Sequence, residues 1–209
     1  MTTVGLAMIV RDGAETLDFC LRSIRDLFDQ VVVVDTGSVD GTIDIAKRHG
    51  VDLHHFTWIN DFSAARNYSW DQLKTDWAFW LDSDDVLLGR EYFEEMISKA
   101  LKFNVDGVLL EYYYAFDSVG EKFLAEAVEP LLREGKPVSE DVVRALAKRC
   151  VTTQLRERLV KRIDGWRWCY PVHEALPSAG RPMGKFDKVK IIHRRHVRKE
   201  AIRPRRNLE

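Results

Sequence analysis

The order of apolar and polar positions alternates between two periods along the first half of the chain. Apolar and β-branched runs predict five strands, at residues 4–10, 31–34, 51–56, 77–81 and 106–114. Segments with apolar residues at helical spacing predict helices between them, at 16–28, 42–49, 62–74 and 91–103. This alternation is typical of βαβ units, so the expected fold class is α/β, with a mostly parallel sheet flanked by helices.

The pattern changes near residue 119. Two amphipathic segments, 121–133 and 139–149, predict a helical hairpin inserted into the α/β body. Three short strands of unassigned pairing are expected after it, at 158–163, 167–170 and 186–193. The length of 209 residues suits a single domain. We divide it into a first half (1–115), an insertion (119–150), a second half (155–196) and a C-terminal tail (197–209).

Carboxylates follow two of the predicted strands. Asp35 ends the second strand, and Asp82-Ser83-Asp84-Asp85 follows the fourth. Ligands of open α/β sheets bind beyond the carboxyl ends of the strands, so both positions point to a ligand site.

The segment Asp82-Ser83-Asp84-Asp85 is the strongest chemical feature. Residues i and i+2 of an extended segment point the same way, so Asp82 and Asp84 are able to address one site. Clustered carboxylates repel one another, and a hard cation such as Mg²⁺ or Mn²⁺ relieves that repulsion. The alternative is a solvated acidic turn that caps a helix.

Two further segments are candidates for ligand binding. Asp35 is placed to accept bonds from a base or a ribose, and Gly37 lets the backbone approach a ligand. Arg66, near the start of a predicted helix, has the fork geometry that suits a diphosphate. A surface arginine paired with an acidic neighbour is the alternative for Arg66.

A late cluster combines aromatic and ionisable residues. It runs from Trp166 through Trp168 and Tyr170 to His173 and Glu174. Aromatic rings beside a carboxylate are suited to binding a sugar. The alternative is a loop packed in the core with an exposed glutamate. Two further histidines, His193 and His196, follow the last predicted strand, and a lone histidine is more often structural than a metal ligand.

Charge and cysteine content narrow the partners. The net charge of −1 is uneven, because residues 190–209 hold eight Lys or Arg against two Glu. This basic tail is expected to meet solvent, a membrane surface or another subunit, and DNA binding is the alternative. The three cysteines form no paired motif, which favours a reducing cytoplasm. No apolar run approaches the ~18 residues of a membrane span.

Five segments together resemble family 2 glycosyltransferases, in particular their bacterial and phage branch. They are 8–11 (MIVR), 35–42 (DTGSVDGT), 62–67 (FSAARN), 77–85 (WAFWLDSDD) and 172–174 (VHE). Their order and spacing agree with that family over 4–115 and again over about 155–193.

The resemblance implies a GT-A fold, a nucleoside-diphosphate sugar donor, most simply a UDP-sugar, and a divalent metal. The implied contacts follow motif by motif in chain order. Val10 and Arg11 would border the base, and Asp35 would hold the uracil or ribose. Arg66 would contact the phosphates, Asp82 with Ser83 would reach the ribose, and Asp84 together with Asp82 would bind the metal. His193 would be a further metal ligand, and Arg158 would assist the leaving diphosphate.

For transfer with inversion, a base must take the acceptor proton. Glu174 is the first candidate and Asp85 the second, with His173 beside Glu174 in the same catalytic group. The acceptor is left open among glycan, peptide, lipid and DNA. The alternatives are a nucleotidyltransferase and a non-catalytic nucleotide- or sugar-binding module.

The chain departs from the family pattern in three places. Arg11-Asp12-Gly13 replaces Lys-Asn-Glu, Asp85 replaces a glutamate, and 119–150 has no matched counterpart.

Overall fold

A mixed sheet forms the centre of the computed structural model, which describes residues 1–163, 165–178 and 180–194. In this part of the chain the sheet has eight strands, in the order β3-β2-β1-β4-β7-β6-β8-β5. Their bounds are β1 Val4–Val10, β2 Gln30–Asp35, β3 Asp52–His55, β4 Trp77–Trp80, β5 Asp85–Leu88, β6 Gly107–Phe116, β7 Cys150–Lys161 and β8 Met183–His193.

Helices cover the sheet and carry the connections. They are α1 Leu17–Ser23, α2 Thr42–Arg48, α3 Phe62–Asp71, α4 Phe93–Lys102, α5 Ser118–Phe123, α6 Glu129–Arg133 and α7 Glu140–Ala147. A 3₁₀ turn, Arg90–Tyr92, precedes α4, and a π-helical turn, Leu124–Val128, joins α5 to α6. None of the described helices has both the length and the apolar character that a membrane crossing requires.

Strands β1 to β4 form the parallel half of the sheet. Successive side chains of β1 enter different cores: Met8 packs in one buried cluster and Ala7 in the other. This agrees with strands covered on both faces, as their continuous apolar runs predict. In register, Val10 lies opposite Asp35 and Ala7 opposite Trp80, so the carboxyl ends of these strands lie at one edge.

Strands β5 to β8 bring antiparallel pairs into the sheet. β7 runs antiparallel to β4 and β6, β8 runs parallel to β6, and β5 runs antiparallel to β8. β5 has no counterpart among the predicted strands, because it begins at Asp85, the last residue of the carboxylate motif, and offers only three apolar residues in a row. The strand predicted at 167–170 is wrong, since that segment contributes one isolated bridge between Cys169 and Ala175.

The inserted helical hairpin is present and packs on β5, β6 and β8. Leu124, Leu132 and Leu146 from its helices join Val86 and Ile192 in a third buried cluster.

Helix α1 is shorter than predicted. It ends at Ser23 rather than at residue 28, and Asp26 adopts a left-handed φ of 60°. Leu27 and Phe28 still pack on the core, which explains why they continued the apolar pattern.

Candidate active site

The loop after β2 is organised by Asp35. This carboxylate is buried and accepts N–H bonds from Gly37 at 3.0 Å and Ser38 at 3.2 Å. Gly37 has a φ of 105°, in the region that favours glycine. Asp35 and Gly37 therefore shape this loop, and their contacts with a nucleotide stay predictions.

The loop after β1 is tied to the loop after β2. The N–H of Asp12 donates to Ser38 Oγ at 2.9 Å, and the Asp12 carboxylate accepts the N–H of Val39 at 2.9 Å. Val10 is buried in β1, and the side chain of Arg11 reaches solvent. The departure at Arg11-Asp12-Gly13 thus supplies a link between the two loops that would border a base.

Arg66 lies at the centre of the site and is buried. Its Nη2 donates to Asp82 Oδ1 at 2.6 Å and its Nε donates to Glu174 Oε1 at 2.8 Å. The guanidinium also lies over the rings of Trp80 and Trp168, at 5.0 and 4.9 Å from their centroids. Burial lowers the pKa of Arg66, but the charges of Asp82 and Glu174 outweigh it and leave the pKa above its ordinary value. Arg66 thus joins two distant motifs by charge-assisted hydrogen bonds.

Helix α3 holds the late loop in place. The Asp61 carboxylate caps α3 by accepting the N–H of Ala64 at 2.9 Å. Asn67 bonds the backbone of Trp168 twice: its Nδ2 donates to the carbonyl, and its Oδ1 accepts the N–H, each at 2.9 Å. The N–H of Phe62 donates to the carbonyl of Pro171 at 2.9 Å. One helix therefore both supplies Arg66 and sets the path of the loop that ends at Glu174.

The aromatic residues of the late loop are divided between core and surface. Trp166 and Trp168 are 4% and 3% exposed, so neither presents a face to a sugar. Tyr170 is 64% exposed, and His173 is exposed with a left-handed φ of 57°. The expected sugar platform is wrong for the two tryptophans, because their apolar rings fill the core under α3.

The pairing of β5 with β8 assembles a potential metal site. Asp85 lies opposite His193 in this antiparallel pair, and Asp84 precedes it in the turn. His193 Nδ1 lies 3.6 Å from Asp84 Oδ1 and 3.4 Å from Asp85 Oδ1. One potential ligand atom from each of the three residues lies within 4.8 Å of the others.

The electrostatics of this cluster favour a cation. Burial raises the pKa of Asp84 to about 6, with Asp82 and Asp85 adding to the shift and His193 opposing it. Burial lowers the pKa of His193, but the hydrogen bond and charge of Asp85 and the charge of Asp84 outweigh it, so the pKa is raised. Burial also raises the pKa of Asp82, yet the charges of Arg66 and Arg158 bring it below its usual range. Asp84 is thus the carboxylate with the least positive charge beside it.

Asp85 and Arg158 form a fully buried ion pair. Both side chains are 0% exposed, and Arg158 Nη1 donates to Asp85 Oδ2 at 2.9 Å. Tyr112 donates its hydroxyl to Asp85 Oδ1 at 3.1 Å. The predicted roles were proton transfer for Asp85 and diphosphate contact for Arg158. These contacts instead favour a role for both residues in supporting their neighbours. Tyr112 was missed, because a tyrosine within an apolar strand carries no motif.

Ser83 lies beside the loop after β1. A Cβ built on Gly13 would lie 3.1 Å from Ser83 Oγ, so Gly13 allows the two loops to approach. The loop after β1 and the turn after β4 therefore lie close together at this point.

The motifs that the structure brings to this edge of the sheet also match a known family. A family model described as "Glycosyl transferase family 2" matches residues 6–158, which is most of the chain. The chain belongs to glycosyl transferase family 2. The predicted family and the GT-A-like α/β class are thereby confirmed.

Curated relatives match less than half of the chain. A segment of 88 residues is 48% identical to a TPR repeat-containing protein of Synechococcus elongatus, covering 42% of this chain and 22% of that protein. A segment of 86 residues is 33% identical to the SPbeta prophage-derived glycosyltransferase SunS of Bacillus subtilis, covering 40% of this chain and 20% of SunS. The match therefore spans about a fifth of each of these relatives.

A solved structure covers more of this chain at low identity. It is glucosyl-3-phosphoglycerate synthase from Mycobacterium tuberculosis in complex with Mn²⁺, UDP and glucosyl-3-phosphoglycerate. The identity is 18% and the TM-score 0.46, over 77% of this chain and 57% of that one.

The structure thus brings together Arg66, Asp82, Glu174 and, beside them, Asp84 with His193. His196 and the C-terminal tail, 197–209, lie outside the described residues. The four-part division of the chain and the cytoplasmic setting stay predictions.

Proposed function

We propose that this protein transfers a sugar from a nucleoside-diphosphate sugar, most simply a UDP-sugar, with a divalent cation held by Asp84 and His193. The observation that carries the proposal is the meeting of Asp84, His193 and the Arg66–Asp82 pair at the carboxyl edge of the parallel strands. Family membership supports the class of reaction, and this geometry supports the choice of residues.

The residues present suit a Mn²⁺ or Mg²⁺ ion. The Asp84 carboxylate suits either ion, whereas the His193 imidazole is a ligand type of transition metals and so favours Mn²⁺ over Mg²⁺. The charged groups of the site leave a formal charge of −2 with His193 neutral, counting Asp82, Asp84, Asp85, Glu174, Arg66 and Arg158. When bound, the ion would supply electrostatic stabilisation of the departing diphosphate.

The chain's own residues prepare the donor site. Asp82 is held by Arg66 and is 32% exposed, so its second oxygen is available to a ribose hydroxyl. Arg66 is engaged with two carboxylates, so in this proposal it orients them rather than gripping the phosphates itself. The loops after β1 and β2, which are held by the hydrogen bonds of Asp12 and Asp35, are proposed to receive the nucleotide base. Val10 and Arg11 would border that base.

Glu174 is proposed as the base that takes the acceptor proton. Its bond to Arg66 uses Oε1, which leaves Oε2 to receive a proton. The side chain is 17% exposed, so it lies at the boundary between the buried network and solvent. His173 is beside it and exposed, where it is able to contact an acceptor. The acceptor class stays open among glycan, peptide, lipid and DNA.

Thermal unfolding in the presence of nucleotides tests the donor site. We expect UDP with Mn²⁺ to raise the melting temperature, GDP with Mn²⁺ to raise it less, and EDTA to remove the effect, since a ligand of the native state stabilises it by mass action. Asp84→Ala should abolish the metal-dependent part.

A matched control is Asp187→Ala, which removes an exposed carboxylate from β8, the strand that ends in His193. It should respond to UDP and Mn²⁺ as the unaltered chain does. No shift with any nucleotide would contradict the proposed donor site. A shift without turnover of any UDP-sugar would favour the non-catalytic binding module.

A further inference from the structure

We propose that the buried Asp85–Arg158 pair is the positioning device of the cation site, with Arg158 acting on Asp84 and His193 through Asp85 rather than on the donor. The inference rests on the proposed function, because it assigns a role toward the same cation site. It replaces the predicted roles of both residues.

The local backbone turns Arg158 toward the carboxylate motif. Leu109 of β6 pairs with Glu157 and Val108 pairs with Leu159, so Arg158 is an extra residue without a partner on β6. Such a bulge re-aims a side chain and is common beside active sites. The side chain of Arg158 is fully buried.

Two aromatic rings fix the plane of the guanidinium. Arg158 Cζ lies 3.6 Å from the ring centroid of Trp80 and 4.4 Å from that of Tyr112. Its Nη1 donates to the carbonyl of Trp80 at 3.2 Å and to Asp85 at 2.9 Å. The ring contacts and the two bonds of Nη1 restrict the guanidinium and present Nη1 to the Asp85 carboxylate, while Nε and Nη2 are buried without a hydrogen-bond partner.

Asp85 contacts both segments that carry the ligands of the proposed cation site, the turn with Asp84 and the end of β8 with His193. Its Oδ2 accepts the backbone N–H of Asp82 at 3.1 Å, which fixes the start of the turn that carries Asp84. Its Oδ1 lies 3.4 Å from His193 Nδ1 and accepts the hydroxyl of Tyr112. A carboxylate that bonds one ring nitrogen of a metal-binding histidine orients the ring and leaves the other nitrogen to the metal, so Asp85 would hold Nδ1 and Nε2 would bind the cation.

The accessible charges identify Asp84 as the ligand and Asp85 as its support. Asp84 is 30% exposed, whereas Asp85 is 0% exposed and already accepts bonds from Arg158, Tyr112 and the backbone. Tyr114 adds a further constraint, because its ring stacks on that of His193 with centroids 5.0 Å apart and planes 3° apart.

The test is the affinity of the protein for Mn²⁺ alone, measured by electron paramagnetic resonance titration. The variant is the double substitution Asp85→Asn with Arg158→Met, which removes both charges and so leaves the net charge of the site unchanged. We expect Mn²⁺ to bind about 10- to 100-fold more weakly, the usual effect of losing a residue that supports a metal ligand. Urea unfolding of the same variant, run in parallel, reports whether it folds.

A matched control removes an ion pair of the same kind from the surface. Asp71→Asn with Arg167→Met deletes an exposed pair outside the site, and Mn²⁺ affinity should stay unchanged. If the Asp85/Arg158 variant folds and binds Mn²⁺ like the unaltered chain, the positioning role is overturned. If that variant does not fold, Tyr112→Phe provides the test, because it removes one hydrogen bond to Asp85. Mn²⁺ binding that is about 3- to 10-fold weaker supports the positioning role. Unchanged Mn²⁺ binding overturns it.

Failure of the proposed function gives a different result. An unaltered chain that does not bind Mn²⁺, or an Asp84→Ala variant that binds it normally, would overturn the cation site itself. Loss of binding in Asp84→Ala with normal binding in the double variant would leave the site standing and remove only the positioning role.

Discussion

The two sides of the candidate active site are held together by different kinds of interaction. The loops after β1 and β2 are joined by hydrogen bonds between backbone N–H groups and nearby side chains, as between Asp12 and Ser38. The turn after β4 is held by two buried arginines, Arg66 and Arg158, each bound to carboxylates.

This difference has an energetic consequence. A typical hydrogen bond contributes about 1 kcal/mol net, so loops of the first kind lose little when one bond is removed. Removing one partner of a buried ion pair leaves an uncompensated charge and costs about 3–5 kcal/mol. The turn after β4, the cation side of the site, should therefore be rigid and sensitive to substitution. The loops after β1 and β2, the base side that is proposed to receive the nucleotide base, should tolerate substitution better.

The largest effect is expected from Arg158→Met as a single substitution. Asp85 would be left buried without its countercharge, so the free energy of unfolding should fall by about 3–5 kcal/mol in urea denaturation. The control Arg167→Met removes an arginine from an exposed ion pair with Asp71, and it should change stability by less than about 1 kcal/mol. Equal losses in the two variants would contradict the contrast between buried and surface pairs.

A smaller effect is expected from glycine substitutions on the two sides. Gly89 follows β5 with a φ of 75°, and a Cβ there would lie 2.0 Å from the carbonyl oxygen of Lys188. Gly89→Ala should cost about 3 kcal/mol, from left-handed backbone strain and overpacking together. Gly37→Ala should cost only about 1–2 kcal/mol, since a Cβ at Gly37 meets no atom within 4 Å and only the strain remains.

Gly184→Ala is the control for both glycines. It lies in β8 without a left-handed φ, and a Cβ there would make ordinary contacts with Val105 at 3.5 Å. Its stability should be unchanged or slightly higher in the same denaturation experiment. If Gly37→Ala proved as costly as Gly89→Ala, the base side would be less tolerant than its open space indicates.

An effect smaller than that of Gly89→Ala is expected from Asn67→Ala. The substitution removes both hydrogen bonds to the backbone of Trp168, so stability should fall by about 2 kcal/mol. The same variant should release the loop that ends at Glu174, which would appear as faster hydrogen exchange over residues 166–174. Fast exchange at the loops of Asp35 instead would show that the two sides are not independent.

The sequence alone predicted much of the parallel half. Continuous apolar runs are sufficient for β1, β2 and β4, because strands covered on both faces need apolar residues at every position. The carboxyl ends of parallel strands lie at one edge, so the placement of Asp35 and Asp82 at that edge followed from the order of strands and helices. The helical hairpin was likewise visible, since amphipathic helices keep their period wherever they pack.

In the antiparallel half, β6, β8 and the end of β7 were predicted as strands, but β5 and the pairing of these strands escaped prediction for physical reasons. β5 has four residues, too few to show a period, and its pairing with β8 is a contact between residues far apart in the chain. The same pairing places Asp85 opposite His193, which no spacing along the chain indicates. Arg66 and Arg158 both lie against aromatic rings and bind carboxylates far away in the chain, which no local pattern indicates, and their contacts with phosphate stay predictions.

The sequence by itself therefore determined the fold class, the family motifs and the residue types at the site, because these depend on local pattern and on chemistry carried by single side chains. Only the tertiary structure decided which carboxylate is available to a cation. Asp82, Asp84 and Asp85 are within four residues of one another, yet one is bound to Arg66, one to Arg158, and Asp84 alone of the three faces His193 without an arginine partner among the described residues. That choice is made by burial and by long-range ion pairs, which exist only once distant strands have come together.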